Sequence, residues 1–317
     1  MNKKLFHITL LGITMAMILA ACAAPIPTPT AFIEPPTATV FGGRLLFSRF
    51  TEATHTFTGM FVSQSDGSAE SPVPLPGPEG GGRWSRSGTE IAVMTVLADG
   101  RIGTAIIAPD GTVLRIFKIP DATLNLVCTI WSRDDSRLAC GSWDDANPSR
   151  GGVYTVRASD GGDLQRVTTP PDGMIDEPGD FSPNGQIVFI RVTGEEPPGR
   201  LMLVDANGGE PRPLSKGPMM EDTGRFSPDG LTVLTATNGN IQVLGLDGTV
   251  LHEIAIDGKY LFGPAWSPDG SRIAFSMDVV FGPFADIFTS LPDGTDLQRV
   301  TNTPDNEITV DWGVGVP

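Results

Sequence analysis

An aromatic residue followed by serine recurs along this chain at intervals of 40 to 50 residues: Trp84-Ser85, Trp131-Ser132, Phe181-Ser182, Phe226-Ser227 and Trp266-Ser267. A truncated sixth copy, Trp312-Gly313, stands at the C-terminus. A fixed period of this length means one supersecondary unit used many times. It constrains the architecture and limits where function can sit.

The last complete copy shows what each unit encodes. Pro264-Ala265-Trp266 leads into Ser267-Pro268-Asp269-Gly270, and Arg272-Ile273-Ala274-Phe275-Ser276 follows. Proline presets φ for a turn and glycine accepts positive φ, so two apolar runs joined this way predict a β-hairpin. A second tight turn comes ten to twenty residues later, at Asp66-Gly67, Asp110-Gly111, Asp160-Gly161, Asn207-Gly208, Asp247-Gly248 and Asp293-Gly294. Two hairpins make four strands, and a sheet that small must stack on its neighbours to bury both faces. Radial stacking of such sheets is a β-propeller.

The expectation is therefore an all-β fold: a six-bladed β-propeller of four-stranded antiparallel blades. Ile308-Thr309-Val310-Asp311-Trp312 reads as the first strand of a unit, and Gly43-Arg44-Leu45-Leu46-Phe47-Ser48 as the second strand of one. The C-terminal strand is thus expected to complete the N-terminal blade, which would remove the exposed sheet edges.

The pattern Trp-Ser-Pro-Asp-Gly, then Ile-Ala-Phe, a strand, Asp-Gly and Leu-Gln-Arg-Val-Thr resembles the TolB-like propeller repeat, a relative of the WD repeat. The resemblance covers roughly residues 43–313. The Trp266 unit matches well, whereas the Trp84 and Trp131 units lack the proline. It implies aromatic wedges between blades and a protein-interaction scaffold in the cell envelope. A fold of this kind hosts many functions, so the motif speaks to architecture first.

The N-terminus adds an address. A basic start, Met1-Asn2-Lys3-Lys4, precedes a short apolar run ending in Leu19-Ala20-Ala21-Cys22. The run fits a secretory signal, and its end resembles the lipobox of bacterial lipoproteins, which implies lipidation of Cys22. Ala23 to Val40 carries Pro25, Pro27, Pro29, Pro35 and Pro36 among threonines, a composition that builds no core. Extended, it spans about 55 Å at ~3.1 Å per residue. The expected organisation is residues 1–21 as signal peptide, 22–41 as lipidated cysteine and linker, and 42–317 as propeller. The expected location is the bacterial cell envelope, outside the cytoplasm, with the lipid as the only membrane contact.

The net charge is −15, and loss of Lys3 and Lys4 would take it to −17. That disfavours nucleic acid, whose binding needs clustered cations. Cys128 and Cys140 fall opposite one another across a predicted hairpin, so either a cross-strand disulfide or two buried thiols is consistent with the spacing. No Cys-x-x-Cys motif is present and no histidine accompanies the pair, so neither a metal nor another cofactor is expected. No nucleophile elbow occurs, and no catalytic residue is assigned.

Binding is expected on the longer loops of one propeller face, where Trp143, Asp144, Asp145, Asp176, Glu195, Glu196, Phe281 and Phe284 fall. They suggest an acidic rim with aromatic anchors for an envelope protein, a peptide or a glycan, on a monomeric scaffold. The alternative is an envelope enzyme acting on a glycan or peptide through carboxylates in the central channel. Asp180, Asp311 and Arg225 are its candidates.

Overall fold

Each aromatic-Ser copy closes its hairpin through the same hydrogen bonds. The serine hydroxyl accepts the N–H that opens the second strand: from Glu90 (3.0 Å), Arg137 (3.0 Å), Gln186 (2.9 Å), Thr232 (3.0 Å) and Arg272 (2.9 Å). Where the turn carries aspartate two residues on, the same hydroxyl donates to it, as Ser227 does to Asp229 at 2.6 Å and Ser267 to Asp269 at 2.7 Å. The repeat keeps Ser-x-Asp because that pair satisfies the orphan groups of a tight turn.

The computed structural model describes residues 39–317 apart from 52–55, 78–80, 120, 122, 193–198, 216–221, 279–284 and 316–317. Cys22, Glu195, Glu196, Phe281 and Phe284 lie outside the described residues. The described chain forms six four-stranded antiparallel sheets. Numbering them as blades, blade 1 contains Asn306–Gly313, Arg44–Phe50, Phe57–Gln64 and Ser71–Val73, from first to fourth strand. Blade 2 contains Gly82–Trp84, Ile91–Val96, Ile102–Ile107 and Val113–Ile116. Blade 3 contains Asn125–Trp131, Arg137–Trp143, Gly152–Arg157 and Gln165–Arg166. Blade 4 contains Ile175–Phe181, Gln186–Val192, Gly199–Asp205 and Arg212–Pro213. Blade 5 contains Arg225–Phe226, Thr232–Thr237, Asn240–Gly245 and Val250–Ile254. Blade 6 contains Leu261–Trp266, Ile273–Asp278, Ala285–Ser290 and Gln298–Arg299. In blade 1 the strand from the far end of the chain pairs with Arg44–Phe50, Leu45 opposite Trp312.

The core lies between blades. Six buried apolar clusters each combine residues of two neighbouring blades, and each takes in one repeat aromatic. Trp84 packs with Leu46, Met60 and Val62 of blade 1, and Trp131 with Ala92 and Ile106 of blade 2. Phe226 packs with Val188 and Leu201 of blade 4, and Trp312 with Ala274 and Ile287 of blade 6. Burying one such ring contributes about 1.5–3 kcal/mol. The rings are wedges: each stands on its own first strand and fills the gap to the preceding blade.

The turns interlock in the same sense. Gly230 of blade 5 sits on Pro183 of blade 4, where an added Cβ would lie 2.5 Å from the proline Cδ. Gly270 of blade 6 sits on Pro228 of blade 5, with the corresponding distance 3.3 Å. The Pro-x-Gly spacing is therefore an inter-blade contact as well as a turn signal.

Two details depart from the sequence reading. The connection from second to third strand in blade 5 is a two-residue turn, Asn238-Gly239, with φ of 51° and 74° at its two residues. Both residues tolerate positive φ, which this tight hairpin demands. The chain also engages the propeller before residue 42. Thr39 N–H donates to Gln298 Oε1 at 2.8 Å, Phe41 N–H donates to Ser65 Oγ at 2.6 Å, and the Arg272 guanidinium lies 4.2 Å from the Phe41 ring centroid.

Candidate functional site

Where the first strands run into their hairpins, they surround a cavity of about 300 Å³ on the propeller axis. Two positions of the unit form most of its wall: the residue before the repeat aromatic and the residue two after it. The first position holds Asp311, Arg83, Ile130, Asp180 and Arg225 in blades 1 to 5. The second holds Val314, Arg86 and Arg133 in blades 1 to 3, and Pro228 and Pro268 in blades 5 and 6. Arg86 and Arg133 stand where blades 4 to 6 carry the repeat proline. At this second position, only the units that replace the proline with arginine, in blades 2 and 3, add a guanidinium to those of Arg83 and Arg225.

The arginines are held by carboxylates and carbonyls of other blades. Arg86 Nη2 pairs with Asp180 Oδ1 across the channel and donates to the Trp131 carbonyl at 3.3 Å. Arg133 donates to the carbonyls of Phe181 and Ser227, both at 3.1 Å, and lies 3.9 Å from Asp180 Oδ2. Arg83 lies 3.9 Å from Asp311 Oδ1. Arg225 Nη1 donates to the Gly179 carbonyl at 2.9 Å and to Thr223 Oγ1 at 3.1 Å.

The carboxylates also join blades directly. Asp180 Oδ2 accepts the N–H of Phe226 at 3.1 Å, from blade 4 to blade 5, while Oδ1 accepts that of Phe181 at 2.8 Å. Asp311 Oδ2 accepts the N–H of Trp84 at 2.9 Å, from blade 1 to blade 2. Indole groups bridge the other way: Trp131 Nε1–H donates to the Arg83 carbonyl at 3.1 Å and Trp266 Nε1–H to that of Arg225 at 3.3 Å. Each such bond to an ionised acceptor contributes about 1.5–3 kcal/mol. Asp180 and Asp311 thus each tie their own blade to the next through the main chain.

Low solvent access shapes the charges. Burial pushes the carboxyl of Asp222, three residues before Arg225, up to about 6, with Arg83 as the chief opposing influence. Burial also raises Asp311 against the pull of Arg83 and Arg86. Desolvation lowers Arg83 and Arg133. For Arg86 desolvation is again the largest influence, but the nearby Asp180 and Asp311 outweigh it and leave the cation stabilised. Several polar atoms here have no hydrogen-bond partner: Arg86 Nε, Arg225 Nε, Asp222 Oδ2 and Trp84 Nε1. A second cavity, between blades 2 and 3 beside Phe117 and Cys128, measures about 10 Å³, room for no more than one water.

The loop residues singled out by sequence are placed differently. Asp176 is fully buried and forms a two-pronged pair with Arg191 at 2.7 and 2.8 Å. Asp144 is buried too: it accepts from Thr123 Oγ1 at 2.7 Å and Arg150 Nη1 at 2.8 Å, and caps Ala146 N–H at 2.9 Å. Asp145 is exposed, and Trp143 is half-buried opposite Asn125 at the strand end. Asp176 and Asp144 are thus committed to ion pairs within their own blades, and of the described acids in this set only Asp145 is exposed. Of the enzymatic candidates, Asp180, Asp311 and Arg225 do meet at one cavity. Arg83, Arg86 and Arg133 were not singled out by sequence, although the missing prolines at 86 and 133 marked two of them. Cys128 and Cys140 are opposite one another in the blade 3 register, their sulfurs 2.10 Å apart. Among the described residues no group of three or more His, Cys, Asp or Glu side chains could hold a metal ion.

No family model matches the chain. A stretch of 70 residues is 34% identical to the Tol-Pal system protein TolB of Methylococcus capsulatus, which is 22% of this chain and 16% of that protein. TolB from Acinetobacter baumannii superposes with a TM-score of 0.60 at 17% identity, over 86% of this chain and 66% of that one. Hydrazine synthase from Kuenenia stuttgartiensis gives a TM-score of 0.62 at 12% identity, over 86% of this chain and 47% of that one. This chain therefore spans less than two thirds of either solved relative, and at these identities the likeness is one of fold. One fold here carries both a Tol-Pal protein and an enzyme, so function rests on the site. The chain is a TolB-like six-bladed β-propeller.

Proposed function

We propose that this protein is an exported, lipid-anchored scaffold of the bacterial cell envelope that binds a protein or peptide partner at the mouth of its propeller channel. The observation that carries the reading is the convergence of Arg83, Arg86, Arg133 and Arg225 on one cavity of about 300 Å³ in a chain of net charge −15. Cations gathered against the overall charge, in a concave site of ligand size, mark a binding surface rather than a solvated face. The TolB-like fold and the short TolB match support an envelope setting. The Leu19-Ala20-Ala21-Cys22 sequence supports anchoring through Cys22.

A photo-crosslinking residue placed in living cells at Pro228, Asp145 or Leu114 tests the site. Pro228 lines the channel mouth, Asp145 is on the opposite loops, and Leu114 is on an outer strand. A discrete adduct from Pro228 alone supports the channel. An adduct from Asp145 with none from Pro228 moves the site to the loops and overturns the reading. Cys22→Ser should shift the protein from the membrane to the soluble fraction; a variant that stays with the membrane refutes the anchor.

A further inference from the structure

We infer that the channel mouth is a carboxylate receptor: it takes a single carboxylate group of its ligand between the guanidinium groups of Arg86, Arg133 and Arg225. The inference rests on the channel being the binding site and names the chemistry it selects.

Three observations point to an anion of this kind. First, the cavity wall sets four guanidinium groups, of Arg83, Arg86, Arg133 and Arg225, against the carboxylates of Asp180 and Asp311, with Asp222 close by. Each wall carboxylate gives one oxygen to a main-chain N–H group of the next blade. Second, the Nε–H groups of Arg86 and Arg225 are buried with no acceptor. A buried donor left without a partner costs about 1–3 kcal/mol, and a turn of the guanidinium toward the cavity would let a ligand oxygen recover it. Guanidinium matches a carboxylate in plane and spacing, two N–H groups to two oxygens, which no lysine could supply.

Third, charge decides the size of the anion. The chain as a whole is strongly acidic. At physiological salt a charge is felt over roughly 8 Å, so a long polyanion lying across the surface would meet repulsion outside the mouth. One carboxylate inside the cavity sees the arginines at contact distance. Both a peptide C-terminus and a small free carboxylate carry that group.

The test uses malonate and penta-alanine, the latter as free acid and as C-terminal amide. It reads the Nε–Hε resonances of Arg86 and Arg225 in the folded protein. The free-acid peptide and malonate should shift both signals saturably, and the amide should bind at least tenfold more weakly. Arg133→Gln, which removes the guanidinium together with its bonds to the Phe181 and Ser227 carbonyls, should weaken the free acid several-fold at a temperature where its lowered melting point still leaves it folded. Arg86→Gln should do so more strongly. Malonate binding without discrimination between acid and amide peptide supports the receptor and assigns it a small free carboxylate. Equal binding of both peptide forms with no response to malonate, unaffected by Arg133→Gln, overturns the carboxylate while leaving a peptide-binding channel. No shift from any of the three overturns the carboxylate inference, and the crosslinking result then stands or falls separately.

Discussion

The Asp135 carboxylate holds the main chain of Arg86: its oxygens accept the N–H groups of Arg86 and Ser87 at 2.6 and 2.9 Å across the interface between blades 2 and 3. Elsewhere a glycine sits on a proline at this contact, as Gly230 does on Pro183. The Pro–Gly pair has become an Arg–Asp pair, and the aspartate tolerates φ of 57° to make it. The exchange sends the Arg86 side chain into the channel without giving up the inter-blade contact.

That coupling is measurable. Asp135→Gly should destabilise the protein by about 1–3 kcal/mol for lost bonds to a charged partner, and Arg86→Pro by about 3 kcal/mol or more, since it also leaves Asp180 without its closer ion-pair partner. The double variant restores the ordinary repeat pair and should lose less than the sum, by at least ~0.5 kcal/mol. Urea unfolding of the four proteins gives the answer; strict additivity would mean the two positions are independent.

Asp180→Ala should be among the more damaging single changes in the channel. It removes the acceptor for Phe226 N–H and the partner of Arg86 together. A loss of about 3 kcal/mol or more is expected when one member of a buried ionic network goes. Asp180→Asn keeps an acceptor for one N–H and should cost less. Thermal melting followed by circular dichroism ranks the two.

We propose that the pairing of Asn306–Gly313 with Arg44–Phe50 is what keeps the ring shut. Deleting residues 307–317 would remove the first strand of blade 1, the buried Trp312 wedge and the Asp311 bond to Trp84. The variant should aggregate or lose its cooperative transition, since an opened ring exposes two sheet faces and an edge. A monomeric variant on size exclusion with an unchanged melt would contradict this.

For Cys128 and Cys140 we propose a disulfide in the exported protein. The denatured chain should then show two more reactive thiols with reductant than without it. The loop closed is short, with 12 residues of sequence separation, so reduction should cost about 2–3 kcal/mol. Equal thiol counts in both conditions would rule the bond out.

The acid limb of stability should carry two opposed signatures. Asp222 has its folded pKa raised to about 6 by burial, above its unfolded value, so it holds its proton more tightly in the fold. Its ionisation costs stability as pH rises through 6, and the cost vanishes as pH falls toward 4. Asp134 is held down to about 2 by hydrogen bonds from Ser132 and Ser136. Its contribution is present above pH 4 and lost as pH falls toward 2. Asp222→Asn should therefore be more stable than the parent at pH 8, by about 1 kcal/mol once water in the channel is allowed for, and equal to it near pH 4.5. Urea midpoints at the two pH values check the sign.

Much of the architecture was legible because a propeller writes local chemistry once per blade. The Trp266-Ser267-Pro268-Asp269-Gly270 hairpin and the second turns gave blade number and strand order without any distant contact. The site was harder to read. Arg83, Asp180, Arg225 and Asp311 are spread over more than two hundred residues and meet only because radial packing brings one position of every unit to the axis. Arg86 and Arg133 carried a local signal, the absent proline, which marked them as poor repeats before the structure made them channel residues. Asp144 and Asp176 looked like rim acids because loop position alone does not reveal a buried partner such as Arg150 or Arg191.

The most direct test is hydrogen–deuterium exchange of the protein with and without the partner captured from the channel mouth. The account predicts protection in three hairpins far apart in sequence, 84–90, 131–137 and 226–232, with the loop at 143–152 unchanged. Protection confined to 143–152, with those three hairpins exchanging as before, would contradict it.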